Sequence, residues 1–178
     1  MIILSMSVGF LLLISGFTKF FSIDETSQSL IDLGLVKIIS LSRSAAIILS
    51  VMEVFLAIGL ILFSGYFLVN ITAFFVFLIF ILINYKSVTN NLKIECNCFG
   101  KIIKTEYGYG GIIQSLIMIM IIIPNILLKN MSYINFYNII PISTSILLII
   151  SAFFATVTII LVRETVDLIN KNKVVKDF

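Results

Sequence analysis

Ala45–Phe63 (AAIILSVMEVFLAIGLILF) and Tyr66–Tyr85 (YFLVNITAFFVFLIFILINY) are two apolar runs parted only by Ser64-Gly65. Wound as helix at about 1.5 Å per residue, the pair would reach roughly 60 Å. That is about twice the ~30 Å depth of bilayer hydrocarbon. The chain therefore reverses at Ser64-Gly65 and crosses twice as an antiparallel hairpin. Backbone amides find no water in hydrocarbon, so each crossing has to be helical.

Three more runs of similar length, Met1–Phe21, Gly111–Leu128 and Ile142–Val162, raise the number to five. Hydrophobic residues make up 60% of the chain and charged residues 12%, against roughly half and a quarter in soluble proteins. A membrane barrel would show alternating segments of about ten residues, and these runs are unbroken. The sequence predicts an all-α integral membrane protein, a bundle of about five transmembrane helices with spans near 1–21, 45–63, 66–85, 111–128 and 142–162. Residues 86–110 form a cysteine-containing loop and 163–178 a cytoplasmic tail. The first run lacks a basic leader and a small-residue cleavage site, so it is expected to be a retained anchor.

Five crossings put the two termini on opposite faces. Of the twelve basic residues, eleven (Lys19, Lys37, Arg43, Lys86, Lys93, Lys101, Lys104, Arg163, Lys171, Lys173 and Lys176) fall on one face and Lys129 alone on the other. Basic residues accumulate on the cytoplasmic side. The expected arrangement is a multi-pass protein of the cell membrane, with its amino terminus outside and its tail and cysteine-loop flanks in the cytoplasm. Orientation accounts for the net charge of +3, so the basic residues imply a lipid environment and no nucleic-acid partner.

Between the first two crossings, Ser22-Ile23-Asp24-Glu25 has the form of a capping box, in which the serine and glutamate satisfy backbone amides reciprocally. Ile23, Leu30, Ile31 and Leu33 then supply an apolar face before Gly34 ends the helix. This is the expected interfacial amphipathic helix. Pro124 is expected to kink or end the fourth span, and the Tyr107/Tyr109 pair to sit at headgroup depth.

The chemistry of the loop is concentrated in Cys96-Asn97-Cys98-Phe99-Gly100, which holds both cysteines of a chain without histidine. Disulfide geometry asks for Cα atoms about 4.4–6.8 Å apart, which residues two apart meet in a turn. Asn97 tolerates turn conformations, and Gly100 frees the chain just beyond. So small a ring would be strained, hence labile and suited to exchange, and would remove little unfolded-state entropy as a staple. Lys93 and Lys101 favour thiolate, whereas Glu95 disfavours it at Cys96, which leaves Cys98 as the easier nucleophile. A metal alternative, two thiolates with Glu95 around Cu(I) or Zn(II), lacks the ligands for a closed four-coordinate site. The redox group is then the cysteine pair itself. No cofactor motif accompanies it, and any quinone stays undefined.

Glu53 lies near the middle of the second span, where a carboxylate is costly and marks a candidate site. It shares a stripe with Ala46, Ser50 and Ala57, spaced four, three and four. The first span carries a matching stripe, Ser5, Gly9, Leu12, Gly16 and Lys19. Small residues allow close helix approach, so packing the stripes brings Lys19 and Glu53 to one seam. The alternatives are a structural polar lock, or Lys19 extending to the headgroups. Asn70, Gln114 and the Ser/Thr residues of the last span read as interhelical hydrogen bonders. The tail from Arg163 reads as a helix extended into water.

Three places resemble the MauE/DoxX family of redox-associated membrane proteins. Gly16-Phe17-Thr18-Lys19-Phe20 is similar to the family's glycine-x-x-lysine end of the first span. Glu53 with Gly59 is similar to its acidic residue and glycine in the second. Cys96-Asn97-Cys98-Phe99-Gly100 is similar to the Cys-Gly-Cys-Phe-Gly of the MauE branch. The resemblance covers roughly residues 1–130. It departs from the family at Asn97, where glycine is usual, and at Gln114-Ser115, where Arg-Asn is frequent. What it implies is a helical bundle needed for maturation of exported redox proteins, with a thioredoxin-like partner.

Two functions follow as expectations. The first is a thiol–disulfide relay or maturation factor exchanging through Cys96 and Cys98 with a thioredoxin-fold protein or an exported redox client, with Lys19, Glu53, Glu95, Lys101 and Gly100 in support. The second is a non-redox membrane transporter, or an assembly or immunity partner, working through Glu53 and Lys19. Exported clients stand in tension with cytoplasmic loop flanks. A relay across the bilayer, or a loop that dips back into the bundle, reconciles them.

Overall fold

The computed structural model describes residues 2–36, 38–63, 66–90, 94, 96, 107–127 and 142–176. They form α1 (Ile2–Phe21), α2 (Ile23–Asp32), α3 (Ile39–Leu62), α4 (Phe67–Thr89), α5 (Tyr109–Leu127) and α6 (Ile142–Lys176). All except the short α2 are long and apolar enough to cross a bilayer. No strand occurs among the described residues.

The structure places the two small-residue stripes face to face. α1 and α3 share the most extensive seam of the bundle, running antiparallel, with Gly9 against Ala57, Leu60 and Ile61, and Gly16 against Ser50, Glu53 and Val54. At Gly16 a side chain would put its first carbon 2.9 Å from Val54 Cγ2 and 3.1 Å from the Ser50 carbonyl oxygen. A backbone carbonyl cannot rotate aside, and overpacking of this kind costs about 1–3 kcal/mol. Gly16→Ala is therefore expected to lower unfolding stability in detergent by about that amount. Gly108→Ala is its control for crowding, because nothing lies within 4 Å of that site.

Although α3 and α4 are consecutive, α4 packs chiefly on α5. The hairpin turn at Ser64-Gly65 lies outside the described residues. Beside it, Tyr66 N–H donates to Phe63 O at 3.0 Å, and Gly59 sits against Val69. α6 packs antiparallel on α5 and also against α1, where the Thr156 hydroxyl donates to Ser7 O at 3.2 Å. α5 continues through Pro124 to Leu127, so the proline stands inside the helix, within a turn of its end.

The interior reverses the soluble pattern. A central apolar cluster of Val8, Leu12, Ala57, Leu60, Phe77, Met118 and Ile122 is flanked by buried Ser5, Ser50, Asn70, Gln114 and Thr156. Large apolar residues such as Phe55, Leu82, Met120 and Phe154 point outward. Lipid solvates them as well as the interior would, so close packing and polar contacts select what lies inside.

α2 departs from expectation at its start and agrees at its end. Ser22 makes no side-chain cap, because its hydroxyl donates back to Thr18 O at 2.9 Å. Only Ser22 separates α2 from α1, and the last carbonyls of α1 compete for the same hydroxyl. At the other end Gly34 takes φ +63°. Its N–H donates to Ile31 O at 2.8 Å, and Leu35 N–H to Leu30 O at 3.1 Å, the paired bonds of a glycine stop. The buried face of α2 includes Thr26, Ser27, Ser29 and Leu30, more polar than expected. Ser27 and Ser42 join their hydroxyls at 2.8 Å to hold it on α3.

Candidate functional site

Two helices meeting along glycine and serine leave room for a buried ion pair. Lys19 and Glu53 are 2% and 1% exposed, and Lys19 Nζ bonds Glu53 Oε1 directly. The second carboxylate oxygen accepts from the Ser15 hydroxyl at 3.1 Å. Phe80 of α4 lies under the ammonium, its ring centroid 5.2 Å from Nζ, where the ring's quadrupole attracts a cation. Each charge thus has an opposite charge and a further polar or aromatic contact. Such pairs survive burial only in this way, since desolvation otherwise exceeds the Coulombic gain.

A second polar group stands nearby on α5 and α6. Arg163, read from the sequence as the first residue of a solvated tail, is 4% exposed. Its Nη1 donates to Gln114 Oε1 at 2.7 Å, and its Nε lies 3.9 Å from Asp167 Oδ2. The residue is drawn inside because Ala152, Thr156, Ile159 and Arg163, all buried, continue one helical face past the apolar run. That spacing of four, three and four is the same signal that marked Glu53, and it would have found Arg163.

The base of the cysteine loop is fastened to α4. Tyr107 N–H donates to Ile94 O at 2.9 Å, and the Ser87 hydroxyl of α4 donates to Tyr107 O at 3.1 Å. Gly108 N–H donates to Asn84 Oδ1 at 3.0 Å. Gly111 is required here, since a side chain on it would collide with the Asn84 amide. Cys96 is 2% exposed. Cys98, Glu95, Lys101 and Gly100 lie outside the described residues, so only Cys96 of the proposed pair has a described place. Among the described residues no three Cys, Asp or Glu side chains gather as a metal site.

Tyr107 is half-buried, and its phenol is within reach of the charges of Glu53 and Arg163. Burial, and then the negative charge of Glu53, push it up from 10.0 to about 12, with Arg163 acting in the opposite direction. The folded chain therefore holds this proton more tightly than the unfolded chain does. The stability it contributes is complete below about pH 10 and is lost as pH rises toward 12. Subtracting the alkaline tyrosinate absorbance of Tyr107→Phe from that of the parent chain should leave one phenol titrating near pH 12.

Lys19 and Arg163 are interior groups rather than loop charges. Removing these two from the eleven basic residues leaves nine on one face against Lys129 on the other, so the lopsided distribution persists.

A family model described as Methylamine utilisation protein MauE matches residues 1–128. No curated protein and no solved structure matches the chain.

Proposed function

Given that the chain belongs to the MauE family, its match spanning residues 1–128, we propose that this multi-pass membrane protein is a thiol–disulfide maturation factor working through Cys96 and Cys98. The observation that carries this is the setting of Cys96. It is a buried residue near the base of a loop hydrogen-bonded to α4 through Tyr107 and Gly108, and Tyr107 lies within reach of the charges of Glu53 and Arg163. A loop that returns to the bundle also relieves the conflict between exported clients and a predominantly basic loop face, which we assign to the cytoplasm.

In this function the Cys96–Cys98 disulfide oxidises a client dithiol. A client thiolate attacks the Cys98 sulfur, the bond to Cys96 breaks, and Cys96 leaves as thiolate. The second client thiolate then attacks the mixed disulfide, forms the client's disulfide and releases Cys98. The two client protons end on Cys96 and Cys98. A thioredoxin-fold partner carrying a disulfide restores the oxidised pair by the same two exchanges in reverse. Cys98, whose thiolate the nearby Lys101 favours, is the exchange cysteine, and the buried Cys96 resolves it. Lys19 and Glu53, the latter acting on Tyr107 at the base of the loop, supply a proton acceptor in the bundle.

The competing function, a transporter or assembly partner without redox chemistry, draws on the same buried ion pair. Cys98→Ser and Glu53→Gln, assayed side by side for client maturation, separate the two. Loss of maturation in Cys98→Ser, at unchanged protein level, supports exchange. Full maturation in Cys98→Ser with loss only in Glu53→Gln would establish the competitor.

A further inference from the structure

Resting on the thiol–disulfide function proposed above, we infer that Arg163 is a positioning residue of the cysteine site, and that α6 beyond its apolar stretch belongs to that site. Arg163 Nη1 holds Gln114 Oε1 at 2.7 Å. One turn further along α6, the Asp167 carboxylate occupies the space that a side chain at Gly110 would take. α6 thus grips the start of α5 at two heights. That start is continuous with Tyr107 and Gly108, the two residues through which α4 holds the loop. Tyr107 in turn receives the strand of chain leading to Cys96, through Ile94 O.

The route from Arg163 toward Cys96 is short: Gln114 directly and Gly110 through Asp167 on α5, then Tyr107 and Ile94, two residues before Cys96. The guanidinium's charge also acts on the Tyr107 phenol, opposing the influences that raise it. Releasing Arg163 frees the first turns of α5, then the Tyr107 anchor, and exposes the buried Cys96 sulfur. A guanidinium suits this post because its planar donors stay charged and reach two acceptors from one position.

The test uses the full chain in lipid nanodiscs, reduced, in a Cys98→Ser background so that Cys96 alone reacts. Alkylation of Cys96 by a maleimide is timed for the parent chain, Arg163→Gln, Arg163→Lys, Gln114→Leu and Arg43→Gln. The last breaks an exposed surface contact with Asp24 and controls for lost charge. Removing a charge-assisted bond of this type should accelerate alkylation about tenfold in Arg163→Gln and by a smaller factor in Gln114→Leu. Arg163→Lys should return the rate to within about threefold of the parent. If Arg163→Gln does not fold, Gln114→Leu decides, since it leaves Arg163 in place and removes only its acceptor. Unchanged alkylation in the folded variants, or equal acceleration by Arg43→Gln, would overturn the assignment. The parent chain with both cysteines is titrated in parallel against glutathione buffers. A pair that never joins there refutes the thiol–disulfide function, whereas the alkylation series still reads the role of Arg163.

Discussion

Glu53→Gln is expected to destabilise the bundle by about 3–5 kcal/mol, the cost of leaving a buried cation without its counter-charge. Lys19 has little room to escape. It is buried between α1, α3 and the Phe80 ring, and the Gly16 contact with Glu53 and Ser50 holds the helices too close for rearrangement. The amide of Gln could still accept from Ser15 or Lys19 but carries no charge to balance the ammonium. Lys19→Met alone leaves the carboxylate with only the Ser15 hydroxyl and should also destabilise. The double variant, Lys19→Met with Glu53→Leu, removes both charges together and should be nearer the parent than either single variant. A coupling of about 2 kcal/mol or more is expected from the four-member cycle, measured by unfolding in mixed micelles. Additive losses would show that the two side chains do not depend on one another.

The second large effect concerns trapping. If Cys98 exchanges and Cys96 resolves, Cys96→Ser removes the group that would expel the partner. A mixed disulfide on Cys98 then accumulates, at least about tenfold over the parent, because resolution by an intramolecular thiolate is favoured by its effective concentration. Cys98→Ser should accumulate far less, since the remaining Cys96 is 2% exposed and poorly placed to meet a folded partner. Non-reducing separation followed by mass spectrometry of the adduct identifies the captured protein, expected to have a thioredoxin fold. Equal trapping by the two variants would mean that burial does not divide their roles.

Much of the bundle is written in local spacing. The α1–α3 seam follows from Gly9, Gly16, Ser50 and Ala57, because small residues at helical intervals have one use in lipid, close approach. The glycine stop at Gly34 is equally local, set by a backbone conformation that side chains disfavour. The Ser22 capping box fails for a reason no short motif contains. Its hydroxyl has a nearer acceptor, Thr18 O, only because α1 runs almost directly into α2.

Arg163 was obscured by the apolar boundary itself. Hydropathy ends the span at Val162, while the buried face continues one residue further. The shift at Tyr107 could not be read from sequence, because the charges acting on it, Glu53 of α3 and Arg163 of α6, lie more than fifty residues away in either direction. Gln114 illustrates the middle case. Its interhelical role was legible from a lone amide in an apolar run, but its partner was not.

The most direct measurement is the intact mass of the purified full chain after equilibration across glutathione buffers of increasing oxidation. One reversible conversion is expected, in which the monomer loses two hydrogens and both cysteines become protected from alkylation together. Two sulfurs that remain alkylatable under every oxidising buffer, with no adduct to any protein, would contradict it.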